Sequence, residues 1–303
     1  FAGILIEPED PDSGIIIELK YSQTFSGLEK YSSVIQYNNE NSLSSVLTIA
    51  YLSAMQFYFK PIRELPTGRG FADFVFIPKP EYMKDYPQVG YAPLKKAIAE
   101  YEGVASESVI CGNGAAELVF SLCQAVKPKK ALIPVPTFAE YEQALTSCGC
   151  EVEHVLLREE EGFSLQDSFI NWLHRDLDMV FLCNPNNPTS SAIMEEDLRK
   201  LIAFCADKDI FVMIDETYVE FAPDVEEITA IPLTREFTNL MVLRGVSKFY
   251  AAPGMRLGYG ITGNMEFLSK MREKQTPWSL NSLGAFAGEL MLRDHDYIQK
   301  TRD

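Results

Sequence analysis

The sequence predicts an α/β fold in which a mostly parallel sheet lies between two layers of helices, a three-layer α/β/α arrangement. The first observation is a series of short, continuously apolar segments, which are typical of strands buried on both faces. The second is that amphipathic helical patterns alternate with these segments from about Tyr86 onward. The third is the composition, because 47% apolar and 23% charged residues are typical of a globular domain.

Five apolar segments after residue 100 are predicted as strands of one sheet: Ser108–Cys111, Ala131–Val135, Met179–Cys183, Ile210–Ile214 and Leu240–Leu243. Helical patterns lie between them at residues 115–126, 138–149 and 195–208. Ligands of such sheets bind at the carboxyl ends of the strands. We therefore look for functional side chains directly after each predicted strand.

Residues 1–85 have a different character and are predicted as a separate α+β segment. They contain strand-like stretches at 14–20 and 70–78 and an amphipathic helix pattern at 41–59. From these changes we expect an N-terminal unit over 1–85, a large domain over 86–278, and the start of a truncated small domain over 279–303.

The charge balance and the cysteines restrict the class of protein. The net charge of −16 would repel nucleic acid at long range, although a local basic pocket for one small anion remains open. No apolar run approaches the roughly 20 residues of a membrane span, and the start lacks the features of a signal peptide. The six scattered cysteines indicate reduced thiols and a cytoplasmic protein. Cys148 and Cys150 could bind a metal ion, but with three histidines and no second cysteine pair we expect no metal site.

The first two predicted strands end in sequences that suit a phosphate and a flat ring. GNGAAEL follows the first strand, and free N–H groups near Gly114, Ala115 and Ala116 suit a phosphate, although this motif taken alone favours an ordinary strand-to-helix turn. PTFAEY follows the second strand, where Phe138 is placed either to stack on a flat ligand or to pack in the core.

The next two strands end in polar groups. NPNNPTS follows the third strand, and its prolines favour extended backbone, so that Asn187 either donates an amide hydrogen bond or belongs to a capping turn. DETYVEF follows the fourth strand. A carboxylate such as Asp215 at the end of a buried strand needs a partner, and Tyr218 shares its side of the turn.

The last predicted strand is followed by SKFYAAPGMRLGYG, which holds two cations eight residues apart. A phosphate bound by Ser247 and Arg256 would explain the second cation, because the planar guanidinium can bind two oxygens. Covalent reaction with an aldehyde would explain Lys248. Together the five strand ends describe one ligand with a phosphate, an aldehyde, an aromatic ring, a phenolate oxygen and a basic ring nitrogen, which is pyridoxal 5′-phosphate (PLP).

From Tyr86 to Asp303 the chain resembles the fold-type I PLP-dependent aminotransferase superfamily. NPNNPT, DETY, SKFYAAPGMRLGYG and PWSLNSLGAFAGE match its motifs in order. Within it the motifs most resemble those of threonine-phosphate decarboxylases of cobalamin biosynthesis, and histidinol-phosphate aminotransferases are near relatives. The resemblance implies a PLP-dependent lyase or an aminotransferase that acts on a phosphorylated amino acid and forms a homodimer.

The resemblance also implies a role for individual residues. Catalysis would involve Lys248 as the point of covalent attachment, Asp215 as partner of the ring nitrogen, and Tyr218 at the ring oxygen. The remaining residues implied to bind the cofactor are Gly114, Ala115, Ala116, Phe138, Asn187, Ser247, Arg256 and, from the partner subunit of a dimer, Tyr86. Trp278, Ser279 and Asn281 in PWSLN are candidates for substrate contacts.

The sequence departs from the superfamily pattern in several places. Ser190 stands where glycine is usual after NPNNPT, and Gly245 lacks a hydroxyl that is often found two residues before the serine. The glycine-rich substrate loop is not recognisable in residues 1–85, and the arginine that holds the substrate carboxylate would follow Asp303. We therefore expect this chain to bind PLP and to turn over substrate poorly.

Residues 1–85 have a second resemblance, to halves of a PD-(D/E)xK nuclease-like domain. The stretch with Glu18 and Lys20 precedes the stretch with Asp73, which reverses that family's order and favours a non-catalytic remnant. Three hypotheses stay open: a PLP enzyme, a PLP-binding chain without turnover, and a nuclease-like or interaction module.

Overall fold

The computed structural model describes the backbone of residues 3–8, 15–20, 62–66 and 71–76, and residues 86–302 with their side chains. The chain divides into two compact units, Phe1–Tyr86 and Pro87–Asp303. The first unit contains an antiparallel sheet in the order β1–β2–β4–β3, whose strands are β1 (Gly3–Pro8), β2 (Ile15–Lys20), β3 (Ile62–Pro66) and β4 (Phe71–Phe76).

Two of the predictions for the first unit concern features outside the described residues. The helix pattern at 41–59 lies there, and so do the side chains of Glu18, Lys20 and Asp73. The backbone places Glu18 in β2 opposite Val75 in β4. The nuclease-like interpretation therefore stays a prediction.

The second unit is built on a seven-stranded sheet in the order β5–β11–β10–β9–β8–β6–β7. Its strands are β5 (Val109–Gly112), β6 (Lys130–Val135), β7 (Glu151–Leu156), β8 (Met179–Cys183), β9 (Phe211–Asp215), β10 (Leu240–Gly245) and β11 (Gly258–Ile261). Strands β7, β6, β8, β9 and β10 are parallel to one another. Strand β11 runs antiparallel to both of its neighbours, β10 and β5.

Helices cover both faces of this sheet. They are α1 (Ala92–Glu102), α2 (Ala115–Val126), α3 (Glu140–Ser147), α4 (Glu195–Ala206), α5 (Met265–Lys274), α6 (Ser282–Met291) and α7 (His295–Arg302). Alternate residues of one strand enter different cores, as a central strand requires: Val180 and Leu182 pack with α1 and α4, and Met179 and Phe181 pack with α2, α3 and α5. The predicted three-layer α/β/α fold of the large domain is confirmed.

The search for apolar runs missed two strands, β7 and β11. Strand β7, EVEHVL, lies at the sheet edge and mixes charged with apolar residues, so that it has no continuous apolar run. Strand β11, GYGI, is half glycine. Gly258 is required there, because a Cβ atom would lie 2.2 Å from the backbone nitrogen of Ala115. Glycine at this position lets the strand pass directly beneath the start of α2.

The last two helices lie against the large domain through specific contacts. A Cβ atom on Gly288 of α6 would lie 2.9 Å from Leu94 Cδ1, so this glycine allows close packing of α6 against α1. In α7 the Tyr297 hydroxyl donates to the carbonyl oxygen of Phe249 at 2.9 Å, and the ring stacks on Tyr250. Among the described residues, no helix is long and apolar enough to span a membrane.

A buried arginine joins several of these elements. Arg244 of β10 is 4% exposed and forms ion pairs with Glu102 at the end of α1 (3.3 Å), Glu216 after β9 (3.0 Å) and Glu220 (2.9 Å). The hydroxyl of Tyr259 in β11 donates to Glu102 at 2.5 Å. We call these residues the Arg244 cluster.

The Arg244 cluster contains more carboxylates than cations. Three glutamates face Arg244, and Arg302 of α7 adds a second cation through its contact with Glu220. Burial raises the pKa of Glu102 to about 7, and the nearby charge of Arg244 offsets only part of that effect. Uptake of one proton by Glu102 near neutral pH would leave two cations and two carboxylates.

We predict that Glu102→Gln removes part of the pH dependence of stability. The folded-state pKa of Glu102 lies above that of an unfolded chain, so its favourable contribution is fully present below the unfolded pKa and is lost as pH rises through about 7. The amide mimics the protonated acid at every pH. Between about pH 5 and about pH 8 the wild type should therefore lose stability relative to the variant, as measured by the midpoint of urea unfolding.

Glu100→Gln is the matched control, because Glu100 lies on the same helix with its side chain 53% exposed. That variant should follow the wild-type pH dependence. The same dependence in Glu102→Gln and wild type would show that Glu102 is already ionised throughout the range.

Candidate active site

Asp215 lies at the centre of the sheet, where β8, β9 and β10 end. It is the last residue of β9, and it stands opposite Cys183 of β8 and Leu243 of β10. Asp215 is buried, with 6% of its surface exposed. The prediction that a carboxylate emerges at the end of a buried strand is thus met by the geometry.

Three hydrogen bonds hold the Asp215 carboxylate. One oxygen, Oδ2, accepts from the hydroxyl of Tyr141 at 2.7 Å. The other, Oδ1, accepts from the backbone N–H of Thr217 at 2.9 Å and from the Thr217 hydroxyl. The carboxylate is therefore held in one orientation by neutral donors of the described chain.

Tyr141 and Phe138 come from the start of α3 and the loop before it. Tyr141 is fully buried, and burial together with the Asp215 charge raises its pKa well above the usual value, so the hydroxyl keeps its proton and donates. Phe138 is partly buried and packs edge-to-face on Tyr141, with ring centroids 5.4 Å apart. Phe138 therefore packs against the core, and its predicted stacking on a flat ligand stays a prediction.

The three asparagines of the NPNNPT loop after β8 differ in their hydrogen bonding. Asn184 is fully buried and its side chain bonds the backbone of Ile193 and Ile228. Asn186 is likewise engaged by Thr137 and by the backbone of Pro136. Asn187 makes no side-chain hydrogen bond within the part of the chain that the structure describes. Of the three amides, Asn187 is therefore the one available to a ligand.

Ser190, which stands where the sequence motif predicts glycine, adopts the left-handed backbone conformation. Its φ is 60°, and its backbone N–H donates to the carbonyl oxygen of Asn186 at 2.7 Å. This conformation is disfavoured for a residue with a side chain. The hydrogen bond to Asn186 closes the turn with serine at this position.

Lys248 and Ser247 follow β10 on the same side of the sheet. Lys248 is exposed, and its Nζ lies 5.6 Å from the centroid of the Tyr218 ring. Ser247 is partly exposed, and its hydroxyl makes no hydrogen bond to the described residues. Two of the residues predicted to be catalytic, Lys248 and Tyr218, are thus brought together.

A glycine-lined turn lies next to Arg256. Gly114 has a φ of 88°, and a Cβ atom there would lie 2.5 Å from Nη2 of Arg256. Arg256 itself has a φ of 50° and donates to the carbonyl oxygen of Pro253 at 3.3 Å. A Cβ atom on Gly245 would lie 3.9 Å from both Ala115 and Thr217. The start of α2, the end of β10 and the loop after β9 therefore meet here.

The residues of this site fit the phosphate and ring of PLP. The first N–H groups of α2, at Ala115 and Ala116, lie beside the Arg256 guanidinium, and both favour an anion. The space left by the glycines lets the backbone approach a ligand closely. The buried Asp215 supplies the negative charge that a protonated ring nitrogen requires.

Three further residues, Tyr86, Trp278 and Asn281, are predicted to reach the cofactor or the substrate. Tyr86 is 80% exposed, and Trp278 is 51% exposed with a φ of 54°. Asn281 caps α6, because its Oδ1 accepts from the N–H of Gly284 at 2.7 Å and its amide donates to Met255 at 3.2 Å. This side chain supports the turn before Arg256, and its predicted contact with substrate stays a prediction.

Sequence reasoning missed Tyr141 and Thr217. Each lies within the motifs already singled out, FAEY and DETY, three residues after Phe138 and two after Asp215. A signal was therefore present: a buried carboxylate needs donors, and the nearest hydroxyl-bearing residues were candidates. The direct contact of Tyr141 with Asp215, 74 residues away, is visible only in the folded chain.

Residues 79–303 match the aminotransferase class I and II family. The chain is 38% identical over 216 residues to a threonine-phosphate decarboxylase from Salmonella typhimurium, which corresponds to 71% of this chain and 59% of that protein. It therefore spans about three fifths of the length of this relative.

Two solved structures have the same fold as this chain. The histidinol-phosphate aminotransferase from Clostridium acetobutylicum is 32% identical, with a TM-score of 0.68 over 74% of this chain and 66% of that one. The L-threonine-O-3-phosphate decarboxylase from Porphyromonas gingivalis is 26% identical, with a TM-score of 0.63 over 73% and 68% of the two chains. The match covers the whole sheet with its strand-end site, and the chain belongs to the aminotransferase class I and II family.

Proposed function

We propose that the chain binds pyridoxal 5′-phosphate and acts on a phosphorylated amino acid, with decarboxylation of L-threonine O-3-phosphate as the reaction. The main support for PLP binding is the buried Asp215, whose carboxylate accepts three hydrogen bonds at the end of a central strand. The observation that favours the substrate is the similarity to threonine-phosphate decarboxylases, at 38% identity in one case.

Each residue around Asp215 has a separate task in this proposal. Asp215 holds the proton on the ring nitrogen, since an adjacent anion raises the pKa of a base. Tyr218 and Asn187 face the ring oxygen, and Phe138 covers the ring. When bound, PLP accepts the electrons of the bond that breaks at the substrate α-carbon.

The second group of residues binds the phosphate and carries the covalent attachment. The N–H groups of Ala115 and Ala116, the Ser247 hydroxyl and the Arg256 guanidinium bind the phosphate. Lys248 would be the point of attachment, and its Nζ is the group of this chain that could accept or return a proton beside the substrate. The two cations of the SKFYAAPGMR segment therefore serve different ends of one ligand.

The groups that hold the substrate decide which bond breaks. With PLP bound, these contacts would select between loss of the carboxylate, which gives decarboxylation, and loss of the α-proton, which gives transamination. The second candidate, a histidinol-phosphate type of aminotransferase, is favoured by the 32% identity and TM-score of 0.68 to such an enzyme. Binding of PLP without turnover, and an interaction role of residues 1–85, are the remaining alternatives.

The assembly and the location belong to the same proposal. A homodimer would bring Tyr86, which is 80% exposed, to the phosphate of the partner's site. A cytoplasmic location is supported by the six cysteines, none of which forms a disulfide.

We predict that borohydride reduction in the presence of PLP labels Lys248 and no other lysine. Peptide mapping of the reduced protein would locate the label. Lys248→Ala should abolish it, and the exposed Lys270→Ala should not. A label that persists in Lys248→Ala would place the attachment elsewhere.

Arg256→Ala should weaken PLP binding by about 10- to 100-fold, the range for a hydrogen bond to a charged group. The variant loses the guanidinium beside Gly114 and leaves the Asp215 end of the site unchanged. Equilibrium titration with PLP, followed by absorbance, measures the effect. Arg199→Ala is the control, because that arginine pairs with surface glutamates. Equal affinities of Arg256→Ala and wild type would mean that the phosphate lies elsewhere.

The reaction itself is tested by supplying PLP and L-threonine O-3-phosphate and measuring carbon dioxide and 2-oxo acid separately. Decarboxylation predicts carbon dioxide without oxo acid. Asp215→Asn should keep PLP binding and lose about 10²- to 10³-fold in turnover, because the amide fills the space without the charge. Tyr141→Phe keeps the charge and loses one of three donors, so its loss should be smaller, about 10-fold.

Oxo acid in place of carbon dioxide would support the aminotransferase alternative. Turnover by Asp215→Asn close to that of the wild type would remove the electrostatic role assigned to Asp215. The absence of both products from a PLP-loaded wild type would support binding without turnover.

A further inference from the structure

A cavity of about 450 Å³ lies away from the Asp215 site, between the start of α1, the end of β5 and the segment that joins α5 to α6. Its walls include Tyr91, Lys95, Cys111, Arg272, Gln275 and Trp278. The volume is that of a small-molecule site.

Long-range hydrogen bonds fix the walls of this cavity. The Tyr91 hydroxyl donates to the carbonyl oxygen of Leu280 at 3.1 Å and accepts from its N–H at 3.2 Å. The Gln275 amide donates to the carbonyl oxygen of Cys111 at 2.8 Å. These contacts join residues that are 164 to 189 positions apart in the chain. The cavity is therefore formed before any ligand enters.

Two cations face this cavity without a carboxylate partner among residues 86–302. Arg272 uses Nη2 to donate to the backbone oxygens of Glu107 and Val109, at 3.0 and 3.4 Å, which leaves its other N–H groups available. Lys95 is half-buried, and burial together with the like charge of Arg272 lowers its pKa. The neighbouring Lys96, by contrast, pairs with Glu100 at 3.8 Å.

Such a pair is notable in a chain with 43 acidic and 27 basic residues. Two cations close together repel each other, and an anion between them would reverse the sign of that interaction. The guanidinium can bind two oxygens of one phosphate and the ammonium a third. Tyr91, Ile110 and Trp278 line the rest of the space and suit an apolar body attached to the anion.

We propose that this cavity binds a small phosphate monoester, with the phosphate between Lys95 and Arg272 and the organic part against Tyr91 and Trp278. The residues that line this cavity include none of those proposed to hold the phosphate or the ring of PLP. The chain's only tryptophans are Trp172 and Trp278, so that Trp172→Phe leaves a single reporter in the wall of the cavity.

The test uses cofactor-free Trp172→Phe protein at low ionic strength and follows Trp278 fluorescence during titration with phenyl phosphate and with inorganic phosphate. We expect a saturable change for both probes and tighter binding of phenyl phosphate. Lys95→Met and Arg272→Met should each weaken binding by about 10-fold or more, because each removes a charge-assisted contact. Lys96→Met, one residue away and exposed, should leave the affinity unchanged.

Arg272→Met also loses two hydrogen bonds to the backbone, so thermal unfolding of each variant is measured alongside. Lys95→Met keeps the apolar stem of the lysine and provides the test if Arg272→Met is unfolded. A fluorescence change that persists in Lys95→Met, or one that disappears in Arg256→Ala, would assign the phosphate to another site and overturn the proposal. Binding of inorganic phosphate as tight as that of phenyl phosphate would overturn the ester class.

Discussion

The burial of Arg244 is the constraint on which the arrangement of this domain depends. A guanidinium removed from water needs charged or polar partners, and Glu102 of α1 and two glutamates of the segment after β9, Glu216 and Glu220, supply them. Glu216, which directly follows Asp215, also donates its N–H to the carbonyl oxygen of Leu243 at 2.8 Å. The ion pairs of the Arg244 cluster therefore support the strand ends that precede Asp215 and Lys248.

The candidate site uses hydrogen bonds where the Arg244 cluster uses ion pairs. Asp215 and Glu216 are consecutive, yet Glu216 faces Arg244 and Asp215 faces neutral donors from Tyr141 and Thr217. Adjacent residues of an extended segment point to opposite sides, so the two carboxylates have different surroundings. The proposed function uses only the carboxylate of Asp215.

The two cations that follow β10 also lie next to different groups. Lys248 lies near the Tyr218 ring, and Arg256 lies against Gly114 at the start of α2. Their separation along the chain, through a turn that ends in the left-handed conformation at Arg256, delivers them to different parts of the site. Like charges are tolerated there because each faces a different group. Lys95 and Arg272, which face one cavity together, lack that separation.

Much of the fold was predictable because it depends on local patterns. Strand β8 was predicted with its observed bounds, and helix α2 likewise, since a continuous apolar run or a 3.6-residue period is legible without knowledge of neighbours. Strand β7 was not, because an edge strand keeps charged residues on its open side. Strand β11 was not, because its Gly258 is required by the close approach of Ala115, which is 143 positions away.

The sequence by itself determined the layer order, the motifs at the strand ends and the residue types that suit a phosphate and a ring, because each depends on residues close together in the chain. Only the tertiary structure decided which side chains from distant segments complete the candidate site and the Arg244 cluster. The contact of Tyr141 with Asp215, the choice of Asn187 over Asn184 and Asn186, and the ion pairs of Arg244 all depend on distances between segments far apart in sequence. Burial and electrostatic pairing are properties of that packing, and no local pattern encodes them.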